Sequence, residues 1–352
     1  MTILVSSTEE STGKTAVALA LATLAAERGQ AVGYMKPKGT RLESNVGKTF
    51  DADPALAREL LDIEAEMAEL EPVVYSPTFI RGALRGQERP ERVRQRVADA
   101  YADLAAGTDR MILEGGGTLE TGGVVDLTDG DVAELLDAEV LLVARYRDES
   151  DVDAVLGAAD RLGDRLRGVV FNAVPEGRHE ELDTEVAPFL EGRGIPTLGI
   201  LPRDPDLAGV SVQELSDELG ADVLTEVPMD ATVERFHVGA MSGESALQHL
   251  RRTRNAALIT GGDRSDIQTV ALEAPGVRCL VLSGGIRPAG AVLGRAAEAE
   301  VPVLLVQGDT ATTIERAETI LDSGRVRDAV TVGRVREMLH DHADLEAILA
   351  EG

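Results

Sequence analysis

Six apolar runs rich in β-branched residues alternate with stretches of helical period: TILVSS (2–7), AVGYMKP (31–37), RMILEGG (110–116), EVLLVAR (139–145), GVVFNAV (168–174) and TLGILP (197–202). That alternation predicts parallel strands, because strands joined through a crossover helix run the same way. Runs that are apolar nearly throughout must also be covered on both faces, so helices are expected on both sides of one sheet. The helical pattern falls at about Lys14 to Arg28, Ala55 to Leu61, Pro90 to Ala106, Asp131 to Leu136, Asp151 to Leu162 and Glu180 to Arg193.

The same alternation restarts after PRDPDLAGVSVQELSDELGADVL, which reads as a connector carrying one helix. NAALITGGDRSDIQTVALE, VRCLVLSGGIRPAGAVLGRAAEAE and VPVLLVQGDTATTIERAETIL are three further strand-loop-helix blocks. They share a shape without a fixed period, which marks α/β units and not a tandem repeat. The expected organisation is a first domain over 1–204, a connector over 205–226, a smaller α/β domain over 227–335 and an amphipathic terminal helix over 336–352.

A formal charge of −27, from 62 acidic against 35 basic residues, argues against nucleic acid or an anionic membrane as a partner. The acids are spread along the chain, a pattern that suits a high-salt, halophilic cytoplasm in which screening removes most self-repulsion. No basic segment precedes a long apolar run at the N-terminus, and the single Cys279 cannot form an internal disulfide. A soluble cytoplasmic protein is expected. Only four of the basic residues are lysine, and Lys14, Lys36, Lys38 and Lys48 all fall in the first 48 positions. Lysine is a compact, flexible point charge that arginine does not replace, so its confinement there suggests a local chemical requirement.

That requirement has a visible candidate. In VSSTEESTGKTAVALAL, Gly13-Lys14-Thr15 follows an apolar strand and opens an alanine-rich helix, the context of a phosphate-binding loop. In such a loop, backbone N–H groups and the helix start hold phosphate, the lysine neutralises charge and the hydroxyl ligates Mg²⁺. The usual G-x-x-x-x-G-K-[ST] spacing places the opening glycine at Thr8, one residue after Ser7. The fold class expected is therefore α/β: a P-loop NTPase-type parallel sheet with helices on both faces, then the smaller α/β domain.

With these motifs the chain resembles the dethiobiotin synthetase-like P-loop proteins, in particular the domain at the N-terminus of some phosphotransacetylases, over roughly residues 2 to 204. That family has a longer loop in which five residues separate the opening small residue from Gly-Lys-Thr, which places the opening at Ser7. The resemblance implies nucleotide contacts from Ser7, Thr8, Glu10, Ser11, Thr12, Gly13, Lys14, Thr15 and Ala16. YMKPKG carries a lysine that acts beside the loop lysine in dethiobiotin synthetases, so Lys14 and Lys36 are the expected catalytic cations. FDADPALA places Asp53, with Asp51 as the alternative, where the family has an Mg²⁺-assisting aspartate; either could instead be a helix N-cap. DRMILEGGG delivers Glu114 to a strand end before three glycines, and Thr15, Asp53 and Glu114 form the expected Mg²⁺ shell of hard oxygen ligands. Asn172, at the end of GVVFN, could both donate to and accept from an adenine edge, and Pro202 in GILPR matches the family's adenine-side loop. The diamino-acid-binding residues of dethiobiotin synthetases have no counterpart in VVYSPTFIRGALRGQ.

The second unit resembles the DRTGG domain. ITGGDRSDIQ and LVLSGGIRP supply its two glycine-bearing loops, with Ser283 where threonine is usual and Asp263 and Arg264 able to pair locally. Of the histidines, His237, His249, His340 and His342 are scattered, and His179 is expected to be exposed. The resemblance implies a Mg²⁺-dependent ATP-binding protein acting on a small carboxylate-type metabolite, or a nucleotide-sensing regulator without turnover. A homo-oligomer that engages no nucleic acid and no membrane is further expected. In phosphotransacetylases a catalytic domain of several hundred residues follows this pair of domains, so a complete phosphate acetyltransferase is not expected here.

Overall fold

The first strand, β1 (Thr2–Ser7), is buried along its whole length because it is flanked on both edges and covered on both faces. The computed structural model describes residues 1–40, 42–45, 48–204, 207, 209–239, 249–322 and 329–350, with only the backbone described at 42–45, 48–50 and 322. Two compact units divide the chain: Met1–Arg203 together with Arg325–Gly352, and Asp204–Gly324.

In the first unit, β1 pairs in parallel with β5 (Arg110–Glu114) on one side and β6 (Glu139–Ala144) on the other. The sheet extends through β2 (Val32–Met35), β7 (Leu166–Val174) and β8 (Thr197–Pro202) to the order β2-β5-β1-β6-β7-β8, all parallel. Each expected strand is thus present. A short antiparallel hairpin that no periodicity announces, β3 (Leu42–Asn45) and β4 (Lys48–Asp51), precedes α2 (Ala52–Leu60). The helix starts three residues earlier than expected because Asp51 caps it, its side chain accepting from Asp53 N at 3.0 Å.

The helix α1 (Lys14–Glu27) buries eleven of its residues, from Lys14 and Thr15 to Ala25. A helix apolar all round must be covered all round. The sheet covers one side, and the helix Ala329–His342 lies against α1. The segment expected as a single terminal helix is in fact two, Ala329–His342 and Leu345–Leu349, and both belong to the first unit. Arg110, buried at the start of β5, donates to the Leu349 carbonyl at 2.8 Å. Arg167, on β7, donates to the Ala347 and Ala350 carbonyls, each at 2.8 Å. Gly199 lets Ala343 approach β8, since an added Cβ would stand 2.8 Å from that of Ala343.

The second unit has an antiparallel pair, β9 (Val210–Ser211) and β11 (Thr232–Val233), and a five-stranded sheet ordered β10-β15-β14-β13-β12, from Asp222–Val223, Val303–Leu305, Val277–Ser283, Ala256–Gly261 and Arg235–Val238. The four longer strands are parallel and β10 is antiparallel. Part of the expected connector, at 205, 206 and 208, lies outside the described residues, as do 240–248 and 323–328 of the expected second domain. The rest of the connector packs into this unit: Val210, Val212, Leu215 and Leu219 join one core with Ala257, Ile259 and Val281.

Candidate functional site

The turn between β1 and α1 lies at the carboxyl end of the sheet, where open α/β sheets place their ligands. It needs two left-handed residues, Ser11 at φ 57° and Gly13 at φ 90°. Gly13 is further constrained because a Cβ there would come within 2.5 Å of Asn172 Nδ2. No side chain caps α1, so the first-turn N–H groups remain directed at the loop. Ser7, Thr12, Lys14, Thr15 and Ala16 are buried, Thr8, Ser11 and Gly13 half-buried, and Glu10 exposed.

The loop is braced from β6 and β7. Asn172 donates through Nδ2 to the Thr12 carbonyl at 2.8 Å, which commits to the loop the donor that the sequence offered to an adenine edge. Pro202 ends β8, the neighbouring strand, in register with Val174. Arg145 Nη2 donates to the Ser11 carbonyl, while Glu9 contacts Arg147 at 3.0 Å and Arg145 at 3.8 Å. Ser7 Oγ donates to the Glu9 carbonyl at 2.7 Å and accepts from Lys14 Nζ at 2.8 Å. The Lys14 ammonium also donates to the Gly117 carbonyl. Burial lowers the Lys14 pKa from its ordinary value against the opposing pull of Asp129 and Glu114.

Beneath the loop, Thr15, Lys36, Asp53 and Glu114 converge. Thr15 Oγ1 donates toward Glu114 Oε1 at 2.7 Å and Asp53 Oδ2 at 3.2 Å. Lys36 Nζ reaches the same two oxygens, donating to Asp53 Oδ2 and lying 3.3 Å from Glu114 Oε1. It also lies 2.8 Å from Asp51 Oδ2. Asp51 is therefore both the helix cap and a counterion, leaving Asp53 turned toward Thr15. Tyr34 donates to Glu114 Oε2 at 2.6 Å. All are at most 6% exposed. Burial works to lower the Lys36 pKa, but Glu114, Asp53 and Asp51 outweigh it and hold the ammonium above the usual lysine range. Burial pushes the Glu114 carboxyl up and, with Glu114 beside it, the Tyr34 hydroxyl well up.

A second buried ion pair, with no signal in the sequence beyond the lysine cluster, lies alongside. Lys38 Nζ donates to Asp129 Oδ1 at 2.5 Å, and Ser6 Oγ donates to Asp129 Oδ2. The glycines of the EGGG run admit it: an added Cβ would meet Asp129 Oδ2 at 2.2 Å from Gly115 and the Lys38 carbonyl at 2.2 Å from Gly116. Glu71, also missed in the sequence, accepts from Asp51 N at 2.9 Å, and its other oxygen is buried without a hydrogen-bond partner. Burial pushes its carboxyl up to about 7.

In the second unit, the glycine loops end β13 and β14, and Gly262 approaches Ile286 so closely that a Cβ would meet its carbonyl at 1.7 Å. Ser283 shares a hydrogen bond with Thr310 at 2.7 Å and donates to the Thr260 carbonyl at 3.3 Å. Arg264 pairs with Asp266 at 3.3 Å, two residues along, where the sequence suggested Asp263. His179 is half-buried, not exposed as expected, and its Nε2 is buried without a hydrogen-bond partner. Among the described residues, no three or more His, Cys, Asp or Glu side chains are arranged to hold a metal ion. A cation beside Thr15 would thus depend on a hydroxyl and two carboxylates, with further oxygens from elsewhere. That donor set is hard and suits Mg²⁺, which habitually binds through one or two carboxylates plus phosphate and water.

Residues 1–235 match the AAA domain family AAA_26, and residues 214–320 match the DRTGG domain. The phosphate acetyltransferase of Haemophilus influenzae is 23% identical over 371 residues, covering 96% of this chain and 50% of that protein. The cobyric acid synthase of Clostridium perfringens is 25% identical over 226 residues, covering 57% of this chain and 45% of that one. The chain thus spans about half the length of these curated relatives. Among solved structures, a ParA family ATPase from Chlorobium tepidum aligns with a TM-score of 0.35 at 18% identity, over 62% of this chain and 86% of the other.

Proposed function

Because the chain belongs to the AAA_26 family of dethiobiotin synthetase- and cobyric acid synthase-like P-loop domains and also carries a DRTGG domain, we propose that it binds ATP with Mg²⁺ at the loop 7–16. Binding or hydrolysis would be coupled to a small carboxylate-type metabolite. The observation that carries this reading is the convergence of Thr15, Asp53, Glu114 and Lys36 beneath a loop opened by an uncapped helix.

Phosphoryl transfer asks a protein mainly for position and charge. Here the α1 N–H groups and Lys14 would hold the phosphates, and Thr15, Asp53 and Glu114 would hold Mg²⁺, which neutralises phosphate charge when bound. Lys36 would supply a second positive charge at the transferring group. Arg145 and Asn172 keep the loop backbone in shape through the Ser11 and Thr12 carbonyls, and Pro202 and the remaining face of Asn172 would border the base.

A regulatory reading, in which nucleotide is sensed and not turned over, is favoured by the state of Lys14. Its ammonium is engaged by Ser7 and Gly117, so phosphate must compete for it. Titration with ATP in high KCl and Mg²⁺ tests both. Lys14→Ala should weaken binding by roughly 100-fold, the loss of a charge-assisted contact to phosphate. Turnover that collapses in Lys36→Ala while binding survives identifies an enzyme. Binding without turnover in the native chain identifies a sensor, and an absence of ATP binding by the native chain sinks the proposal.

A further inference from the structure

Lys36 and Thr15 compete for the same two oxygens. Asp53 Oδ2 and Glu114 Oε1 each lie within hydrogen-bond reach of the Thr15 hydroxyl and each face the Lys36 ammonium, and the Asp51 carboxylate at 2.8 Å completes an acidic ring around Lys36. Every member is buried, the lysine side chain being 2% exposed. Three carboxylates this close could not stay ionised together without a cation among them. The lysine supplies that cation from within the chain.

We propose that Lys36 is an internal counter-cation that exchanges with Mg²⁺: it holds Asp53 and Glu114 in ligating position, and cedes them when the dication binds. The proposal rests on the reading of Thr15, Asp53 and Glu114 as the Mg²⁺ ligands. An ammonium and a dication drawn to the same two oxygens repel each other strongly in a water-poor pocket, so the arrival of the dication drives the ammonium away. The residue type suits the exchange. A lysine ammonium rides on four flexible methylenes and can leave its partners by rotation, whereas the fork of an arginine holds carboxylates in one fixed geometry. Of the chain's 35 basic residues 31 are arginine, yet lysine stands here. Asp51 does not move with the exchange, because its oxygens also accept from Asp53 N at 3.0 Å and Thr40 N at 2.9 Å. It remains as the anchor to which the ammonium can return. Metal binding thus releases a positive charge at the carboxyl end of β2, and the two cations of the site arrive in a fixed order.

The test uses the whole chain in high KCl with Mg²⁺ alone, without nucleotide. Lys36→Met keeps the stem and removes the charge, so Mg²⁺ becomes the cation available to the acidic ring. The melting temperature of this variant should rise by about 5 °C or more between zero and ~10 mM Mg²⁺, and that of the native chain by less than half as much. Should the variant not fold, the native chain still decides: acylation of Lys36, followed by peptide mapping, should accelerate on the order of tenfold with Mg²⁺ as the ammonium leaves its buried partners. Equal Mg²⁺ responses in variant and native chain, or Lys36 acylation indifferent to Mg²⁺, overturn the exchange. Because no nucleotide is present, that failure is distinct from failure to bind ATP.

Discussion

The two units of this chain build the same kind of strand end from opposite chemistry. Both place glycine-bearing loops at the carboxyl ends of parallel strands. In the first unit that end buries ions: Lys14, Lys36, Lys38, Asp51, Asp53, Glu114 and Asp129 are each at most 8% exposed. In the second it buries neutral groups, Thr260, Gln268, Ser283 and Thr313. A strand-end loop therefore says where a ligand would sit, and the charge buried beneath it says what kind. Buried ions must be paired, and each pair commits the surrounding backbone to one geometry. Neutral hydroxyls and amides ask for less and tolerate change.

The sharpest way to break this contrast is Asp129→Ala, which strands the Lys38 ammonium in the interior. It should cost about 3–5 kcal/mol in denaturant unfolding at high KCl. A loss under ~1 kcal/mol would mean that water reaches the pair and that the two units do not differ in kind. Next comes Gly13→Ala, which forces a side chain to a positive φ and against Asn172. A loss of roughly 1–3 kcal/mol in the melt, with weakened ATP binding, is expected. Glu71→Gln reads the ionic end by pH. The folded-state pKa of Glu71, about 7, lies above its ordinary 4.5, so ionisation is penalised in the fold. Stability from this group is full below about pH 4.5 and is lost as pH rises through about 7. The native chain should lose roughly 1–2 kcal/mol relative to Glu71→Gln across that window, and parallel stability curves would remove Glu71 from the cluster. The smallest effect belongs to the neutral end: Ser283→Ala should cost about 1 kcal/mol and leave ATP affinity unchanged in calorimetry.

What was legible in the sequence was local. TILVSS, RMILE and EVLLVA declare themselves by composition, and Gly13-Lys14-Thr15 by its place between strand and helix. The acids at 53 and 114 follow a helix start and a strand end, and the structure brings both to Thr15. What was not legible depends on distance along the chain. The Lys38 partner is 91 residues away and the Tyr34 partner 80. Neither has a periodicity that a reader could follow. A local signal does exist for the helix Pro77–Leu84, where Ser76 caps and Pro77 occupies the first turn. The bond of Asn172 to the Thr12 carbonyl was hidden for a different reason: an amide at a strand end can serve a ligand, a neighbouring loop or both, and only the fold brings Thr12 within reach.

The return of the helix Ala329–His342 to lie against α1 sets a schedule for the chain as it is made. The residues Asp204–Gly324 leave the ribosome before the segment that covers α1 exists. At ordinary elongation rates the first unit waits on the order of ten seconds with its most apolar helix incompletely covered. During that interval the second unit can fold first. Chaperone demand should therefore concentrate on α1.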